Sequence, residues 1–325
     1  MTLFHTQSLS NFTFLVTGGA GFIGSHLAEY LLTRQAGKVR VLDNLHTGFE
    51  ENIKPFLEYP NFEFVKGDIR DIETCKTACQ NIDFVLHQAA LGSVPRSIHD
   101  PLTTHAVNIN GFLNMLVAAS ENKVQKFVYA ASSSTYGDSP KLPKTEPEIG
   151  NPLSPYAVTK YVNELYANVF YRCYGLKTIG LRYFNVFGER QSPQGAYAAV
   201  IPLFMEALRQ GKPPQINGDG ETTRDFTFVE NAVQANIKAL FAGIQADNQV
   251  FNVAIGESTS LNQLYKILAK FAKTNVLPIY LPERDGDIRH SLADVSKAEK
   301  LLGYQPGVKI EEGLKRTWDC FNKGK

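Results

Sequence analysis

The chain has 325 residues, of which 43% are hydrophobic, and its formal net charge is +1. This length and balance predict a globular protein with a sizeable core and no nucleic-acid or membrane surface. The N-terminus lacks a basic, apolar leader, and no run reaches the ~20 apolar residues of a membrane-spanning helix, so we expect a cytoplasmic protein.

The first predicted unit is a strand, a tight turn and a helix. Residues 12–24 form an apolar, β-prone run that breaks into glycines, and residues 26–32 continue at helical spacing. Gly19, Gly21 and Gly24 stand in a G-x-G-x-x-G pattern. Such glycines let the backbone approach a pyrophosphate at the positive end of the helix. The pattern predicts a dinucleotide site.

A second predicted strand, residues 39–42, ends at Asp43. The acid lies about 20 residues beyond the glycines, the distance at which a carboxylate binds the ribose hydroxyls. A carboxylate there repels a 2′-phosphate, so NAD is favoured over NADP. A simple loop cap is the competing interpretation of Asp43.

Strand and helix signals alternate through the first half, with strands expected near residues 13–16, 39–42, 62–65, 83–87, 126–131 and 178–182. This rhythm predicts an α/β fold, a Rossmann-type doubly wound parallel sheet. Beyond it we expect a smaller mixed α/β substrate-binding lobe. We predict an NAD-binding domain over 1–184, re-entered around 227–272, and the substrate-binding lobe mainly over 185–325.

Tyr156 and Lys160 stand at i and i+4 behind a helix start. Ser154 and Pro155 suit the helix N-terminus, and Gly175 suits its end. Both side chains then share one helix face, where the ammonium favours a tyrosine phenolate. Such a phenolate takes a hydroxyl proton while a hydride leaves the same carbon. A surface pair is the competing interpretation of the spacing alone.

Motifs along nearly the whole chain resemble the extended short-chain dehydrogenase/reductases; they are residues 17–24, 67–70, 87–90 and 132–137, Tyr156 with Lys160, and residues 182–185. Residues 90–97 and 291–294 are most similar to UDP-hexose 4-epimerases, above all the bacterial UDP-N-acetylglucosamine 4-epimerases of polysaccharide biosynthesis. The resemblance implies catalytic roles for Ser132, Tyr156 and Lys160, with NAD as cofactor and a UDP-sugar as substrate.

The resemblance also implies two sets of binding residues. The NAD contacts would be Gly18, Gly21, Phe22, Ile23, Gly24, Asp43, Asn44, Asp68, Ile69, Gln88, Ala89, Ala90, Asn108, Tyr156, Lys160, Tyr183 and Phe184. The substrate contacts would be Ser93, Ser132, Ser133, Ser134, Tyr156, Asn185, Val200, Gln215, Asn217, Arg224, Asp287, Arg289 and Ser291. Asn185 as a turn residue, and Asp287 and Ser291 as solvated loop residues, are the competing interpretations.

The implied reaction is inversion at carbon 4 through a 4-keto sugar, with UDP-N-acetylglucosamine and UDP-N-acetylgalactosamine as the expected pair. A serine at 291 leaves room for an acetamido group, whereas an aromatic residue would not. UDP-glucose/UDP-galactose and UDP-uronate 4-epimerases are alternatives, and a non-catalytic NAD-sensing protein is a remote one. Dehydratases and decarboxylases of this fold carry carboxylates after the catalytic hydroxyl, where this chain has Ser133 and Ser134.

Two further expectations concern assembly and metals. Residues 113–119 and 162–170 offer apolar helix faces for a two-fold bundle, so we expect a homodimer. The four cysteines lack metal-ligand spacing, so we expect no metal site.

Overall fold

The computed structural model describes residues 2–193, 198–283 and 288–323. Its strands are β1 (Thr13–Thr17), β2 (Lys38–Asp43), β3 (Phe62–Lys66), β4 (Phe84–His87), β5 (Lys126–Ser132), β6 (Thr178–Tyr183), β7 (Val186–Phe187), β8 (Gln215–Asn217), β9 (Thr223–Arg224), β10 (Thr227–Phe228), β11 (Gln249–Val253), β12 (Thr259–Ser260) and β13 (Ile279–Leu281). Its helices are α1 (Phe22–Thr33), α2 (Glu50–Ile53), α3 (Ile72–Cys79), α4 (Val94–His99), α5 (Pro101–His105), α6 (Phe112–Glu121), α7 (Pro155–Tyr174), α8 (Val200–Arg209), α9 (Val229–Leu240), α10 (Leu261–Ala272), α11 (Ser296–Leu302) and α12 (Ile310–Lys323). A π-helical turn, Ala106–Gly111, joins α5 to α6.

Seven strands form one parallel sheet in the order β11-β6-β5-β4-β1-β2-β3. The chain runs outward from β1 to β3 and then crosses back to β4, so the strand order reverses between β1 and β4. In open parallel sheets the crevice at the carboxyl ends of such strands is where ligands bind. The predicted doubly wound sheet is confirmed, and each of the six expected strands lies within two residues of an observed one.

Alternate residues of the central strands enter two separate cores. Phe14 and Val16 pack with α1, α9 and α11 on one face, while Leu15 packs with α3, α6 and α7 on the other. Both faces are therefore covered, as a parallel sheet requires. A third core, around Phe204 and Trp318, joins α8, α10 and α12.

The second half of the chain contributes to both regions. β11 pairs with β6 at the edge of the large sheet, and α9 packs on that sheet. The short pairs β13–β8 and β12–β9 are also formed by this half of the chain, and Ile216 of β8 is part of the third core. The assignment of residues 1–184 to NAD binding and of residues 185–325 mainly to substrate binding stays a prediction.

Candidate active site

A cavity of about 1000 Å³ opens at the carboxyl ends of the large sheet. One end is lined by the glycine turn and by the residues that follow β2 and β3. The other end is lined by residues 132–134, Tyr156 and the first strands of the smaller lobe. The cavity thus spans the switch point and reaches both regions.

The glycine turn is held so closely that side chains are excluded. Gly18 has φ +68°, and a Cβ there would lie 2.7 Å from the main-chain nitrogen of Ala89. A Cβ on Gly24 would lie 2.2 Å from the carbonyl oxygen of Gly18. Helix α1 begins at Phe22 without a side-chain cap. Its first N–H groups therefore suit a pyrophosphate, and the site fits a dinucleotide.

The ends of β2 and β3 provide the acids of this half. The buried Asp43 carboxylate accepts hydrogen bonds from the N–H groups of Ala20 (3.0 Å) and Leu45 (2.8 Å). Burial raises the pKa of Asp43, and these two bonds oppose the shift. Arg70 and Asn44 donate to Asp68, which lowers the pKa of Asp68 to about 2. Both acids line the cavity, and the ribose and adenine contacts assigned to them stay predictions.

Three side chains meet at the end of β5 and the start of α7. The Ser154 hydroxyl accepts from the N–H of Ala157 (3.1 Å) and caps the helix, which fixes Tyr156 in its first turn. Lys160 lies one turn further, with its Nζ 6.0 Å from the Tyr156 ring centroid and donating to the Ala130 carbonyl at 2.8 Å. The Ser132 hydroxyl interacts with the Tyr156 phenol.

Burial controls the charges of this group. It lowers the pKa of Lys160 to about 8 and raises the pKa of Tyr156, although the hydrogen bond from Ser132 opposes the latter shift. We expected a lowered tyrosine pKa from the sequence. The protein alone gives the opposite direction because desolvation of the phenolate is the larger effect.

Asn108 lies beneath the cavity wall rather than on it. Its amide oxygen accepts from the Leu91 N–H (2.8 Å), and its Nδ2 donates to the Leu91 carbonyl and to Thr159 (both 3.2 Å). Thr159 in turn donates to the carbonyl of Tyr156. Asn108 therefore joins the loop after β4 to the helix that carries Tyr156 and Lys160, instead of making the predicted cofactor contact.

A ring of hydrogen bonds orders the loop after β4 from the other side. Tyr183 donates to Gln88 at 3.1 Å and accepts from Asn236 at 2.7 Å, while Gln88 donates to Asn236 at 3.2 Å. This ring fixes the start of the Gln88–Ala90 segment. Apart from Asn108, every predicted cofactor residue lines the cavity; these are Gly18, Gly21, Phe22, Ile23, Gly24, Asp43, Asn44, Asp68, Ile69, Gln88, Ala89, Ala90, Tyr156, Lys160, Tyr183 and Phe184.

The predicted substrate residues divide into two groups. Those that line the cavity are Ser93, Ser132, Ser133, Ser134, Tyr156, Asn185, Arg224 and Ser291. The described cavity wall does not include Val200, Gln215, Asn217 or Arg289. Arg289, one of the predicted substrate contacts, lies at the surface because Asp219 (2.7 Å) and Glu283 (3.4 Å) hold its guanidinium there. Asp287 lies outside the described residues.

Several wall residues were missed by the sequence interpretation, among them His46, Thr47, Arg96, Lys144 and Leu153. Arg96 lies one helical turn beyond Ser93, so the i, i+3 spacing could have indicated it. Lys144 reaches the wall through a bridge to Ala293, far away in sequence. That contact leaves no local signal.

The described residues contain neither a candidate membrane-spanning helix nor a candidate cluster of metal ligands. Among them, no helix has the length and apolar character needed to cross a bilayer. No group of three or more His, Cys, Asp or Glu side chains in the described ranges is arranged to hold a metal ion.

Comparison with known proteins places this cavity in context. The profile of the NAD dependent epimerase/dehydratase family matches residues 14–254. The UDP-glucose 4-epimerase of Mycolicibacterium smegmatis is 38% identical over 94% of this chain and 97% of its own. A solved UDP-N-acetylglucosamine 4-epimerase from Methanobrevibacter ruminantium, bound to UDP-N-acetylmuramic acid, is 40% identical with a TM-score of 0.91 over 97% of this chain and 99% of that one. The Thermus thermophilus UDP-glucose 4-epimerase complex with NAD is 36% identical, with a TM-score of 0.86 over 96% and 100% of the two chains.

Proposed function

The chain belongs to the NAD dependent epimerase/dehydratase family, and we propose that it is a UDP-sugar 4-epimerase that interconverts UDP-N-acetylglucosamine and UDP-N-acetylgalactosamine. The observation that carries the choice of sugar is Ser291. This small, half-buried residue lines the same cavity as Ser132 and Tyr156. A large aromatic side chain would overfill a close-packed site at a cost of about 1–3 kcal/mol, whereas serine leaves space for an acetamido group.

The chemistry starts at the 4-hydroxyl of the sugar. Tyr156 removes the hydroxyl proton, and Ser132 hydrogen-bonds both the sugar and the phenol. Bound NAD⁺ supplies the hydride acceptor and donor, together with a positive charge that favours the Tyr156 phenolate. Lys160, protonated at neutral pH, adds a second positive charge on the same helix face.

Inversion requires the 4-keto sugar to present its opposite face before the proton and hydride return. The nucleotide must therefore be held firmly and the sugar loosely. Arg224, on the substrate side of the cavity wall, is a guanidinium suited to the diphosphate. Because the hydride returns to the same sugar, the net reaction is an isomerisation.

The distribution of carboxylates supports epimerisation over dehydration. Among the described residues that line the cavity, Asp43 and Asp68 are the carboxylates, and both follow strands at the dinucleotide end. Ser133 and Ser134 follow the catalytic hydroxyl. Elimination or decarboxylation needs an extra acid or base beside the sugar, whereas epimerisation needs only Tyr156.

The test is to incubate the purified enzyme with UDP-N-acetylglucosamine, UDP-glucose and UDP-glucuronate in parallel and to identify the products by NMR. We expect the highest kcat/KM with the acetylated pair and no net growth of NADH absorbance. Ser291→Tyr should lose the acetylated activity by about tenfold or more while keeping activity on UDP-glucose.

Ser258→Tyr is the matched control, since Ser258 is exposed and lies outside the cavity wall. Equal loss of both activities in Ser291→Tyr, or a wild-type preference for UDP-glucose, would refute the proposed choice of sugar. Stoichiometric accumulation of NADH would instead indicate a dehydrogenase. Absence of turnover with every UDP-sugar would indicate a non-catalytic protein.

A further inference from the structure

Asp225 is a fully buried acid that does not line the cavity. Its Oδ1 accepts from the N–H of Ile255 at 3.0 Å, and its Oδ2 accepts from the N–H groups of Gly256 (3.1 Å) and Ala293 (3.2 Å). All three of these donors to the carboxylate are main-chain N–H groups. Burying a charge without a cationic partner costs free energy. An acid at this buried position therefore calls for an explanation.

The contacts of Asp225 reach the segments that carry the three predicted substrate residues of the smaller lobe on the cavity wall. Arg224 is its neighbour in the chain. Asn185 donates from Nδ2 to the Asp225 carbonyl at 3.3 Å. Ser291 lies two residues before Ala293, and its own N–H donates to the Thr223 carbonyl at 3.2 Å. One residue thus holds the segments that carry Asn185, Arg224 and Ser291.

The third attachment is to the cofactor-binding region. Ile255 and Gly256 lie two and three residues beyond the end of β11, the edge strand of the large sheet. Asp225 therefore fixes the substrate side of the cavity against the sheet on which NAD is held. We propose that the Asp225 carboxylate is a positioning residue that sets the affinity for the UDP-sugar by aligning Asn185, Arg224 and Ser291, a role that rests on the proposed function.

The ionised form of Asp225 is the one that aligns these segments. A carboxylate accepts at both oxygens, whereas an asparagine or a protonated acid turns one oxygen position into a donor that faces a main-chain N–H. Burial raises the pKa of Asp225 to about 6, and the backbone N–H bonds oppose the shift. The charged form therefore costs stability at neutral pH, and the group takes up a proton as the pH falls through about 6.

Other charged and titratable groups lie on the segments packed against this carboxylate. Tyr304 donates to the Ala254 carbonyl and interacts with the charge of Asp225. Further groups on these segments are Arg224, His290, Asp294 and Lys144 near Ala293, and the Glu257–Lys309 ion pair beside Gly256.

The experiment compares Asp225→Asn with Asp247→Asn in the NAD-loaded enzyme. Asp247 is also a buried carboxylate, but it pairs with Lys126 (3.0 Å) near the opposite end of β11. We expect Asp225→Asn to raise the KM for the UDP-sugar and the Kd for UDP by about tenfold or more, with kcat and NAD content near wild type. Asp247→Asn should lower Tm without changing KM.

An unchanged KM and Kd in folded Asp225→Asn would overturn the proposal, as would equal KM increases in both variants. If Asp225→Asn does not fold, the wild type and His290→Gln decide by titrations between about pH 5 and pH 8 with the UDP-sugar, whose diphosphate lacks the terminal phosphate proton that UDP loses at about pH 6. We expect Kd to rise below about pH 6 in both proteins, following the pKa of Asp225. A flat profile, or one that His290→Gln abolishes, would overturn it. Wild-type enzyme that turns over no UDP-sugar refutes the proposed function separately.

Discussion

Tyr156 carries the proton in the proposed reaction, and its position depends on a few local bonds. The Ser154 cap fixes the first turn of α7, and Thr159 bonds the Tyr156 carbonyl from inside the same helix. These bonds fix the backbone that carries the phenol and do not use the phenol oxygen. Removing that oxygen should therefore leave the surrounding geometry intact.

We predict that Tyr156→Phe lowers kcat by about 10²- to 10⁴-fold, the usual contribution of a general acid/base. NAD content and UDP affinity should stay near wild type, because the substitution removes only the ionisable oxygen. The measurements are steady-state kinetics, cofactor absorbance after denaturation, and UDP titration. Tyr171→Phe makes the same change on α7 outside the cavity and should be silent. Near-wild-type kcat in Tyr156→Phe would refute the assignment of the acid/base.

Residues differ in how far a sequence can place them. Tyr156 and Lys160 share a helix face, so their spacing alone predicts that they lie together. Asp43 ends a strand at a known distance from the glycines. Asn108 and Arg289, in contrast, have side chains that find partners far away in sequence, at Leu91 and Asp219. Their motifs predicted the region of the fold in which each residue lies, but not where its side chain points.

At the scale of elements, α7 presents two useful faces. One carries Tyr156 and Lys160 into the cavity. Another exposes Val158, Leu165 and Val169, and the last two are 51% and 47% accessible. The boundaries of this helix follow from local residues, since Ser154 caps it and Gly175 ends it with φ +72° as expected from the sequence. The exposed apolar face is the basis for the proposed homodimer through α6 and α7.

We predict that Leu165→Glu with Val169→Glu makes the protein monomeric, because two buried charges would face their copies across the two-fold axis. Light scattering after size exclusion measures the change. Ile244→Glu with Leu277→Glu is the control, since both residues are exposed and lie outside α6 and α7. A wild type that is already monomeric, or a double variant that stays dimeric, would contradict the proposed interface.

At the scale of the whole molecule, the chain does not divide at residue 184 into independent halves. Val233, Ile237 and Phe251 from the second half are fully buried in the same core as Phe14 and Leu31. The sequence indicated this return through helical and strand signals after residue 227. It could not indicate that β11 would pair with β6, because the sequence of a parallel strand does not identify the strand with which it pairs.

We predict that the fragment 1–184 does not fold on its own. It lacks β11, which covers the edge of β6, and it exposes the apolar surface that α9 buries. Circular dichroism with thermal unfolding, and retention of NAD, distinguish the outcomes against the full-length chain. Cooperative unfolding of the fragment with bound NAD would show that the first 184 residues suffice.

The late arrival of β11 also has a consequence during translation. Ribosomes release β6 well before β11, so a growing chain carries an unpaired parallel edge until residues through Val253 have left the exit tunnel. Nothing synthesised earlier fills that position in the final sheet. Throughout this interval the unpaired edge of the nascent protein can pair with neighbouring polypeptides on the same polysome. This risk of mispairing ends only when the second half has been made.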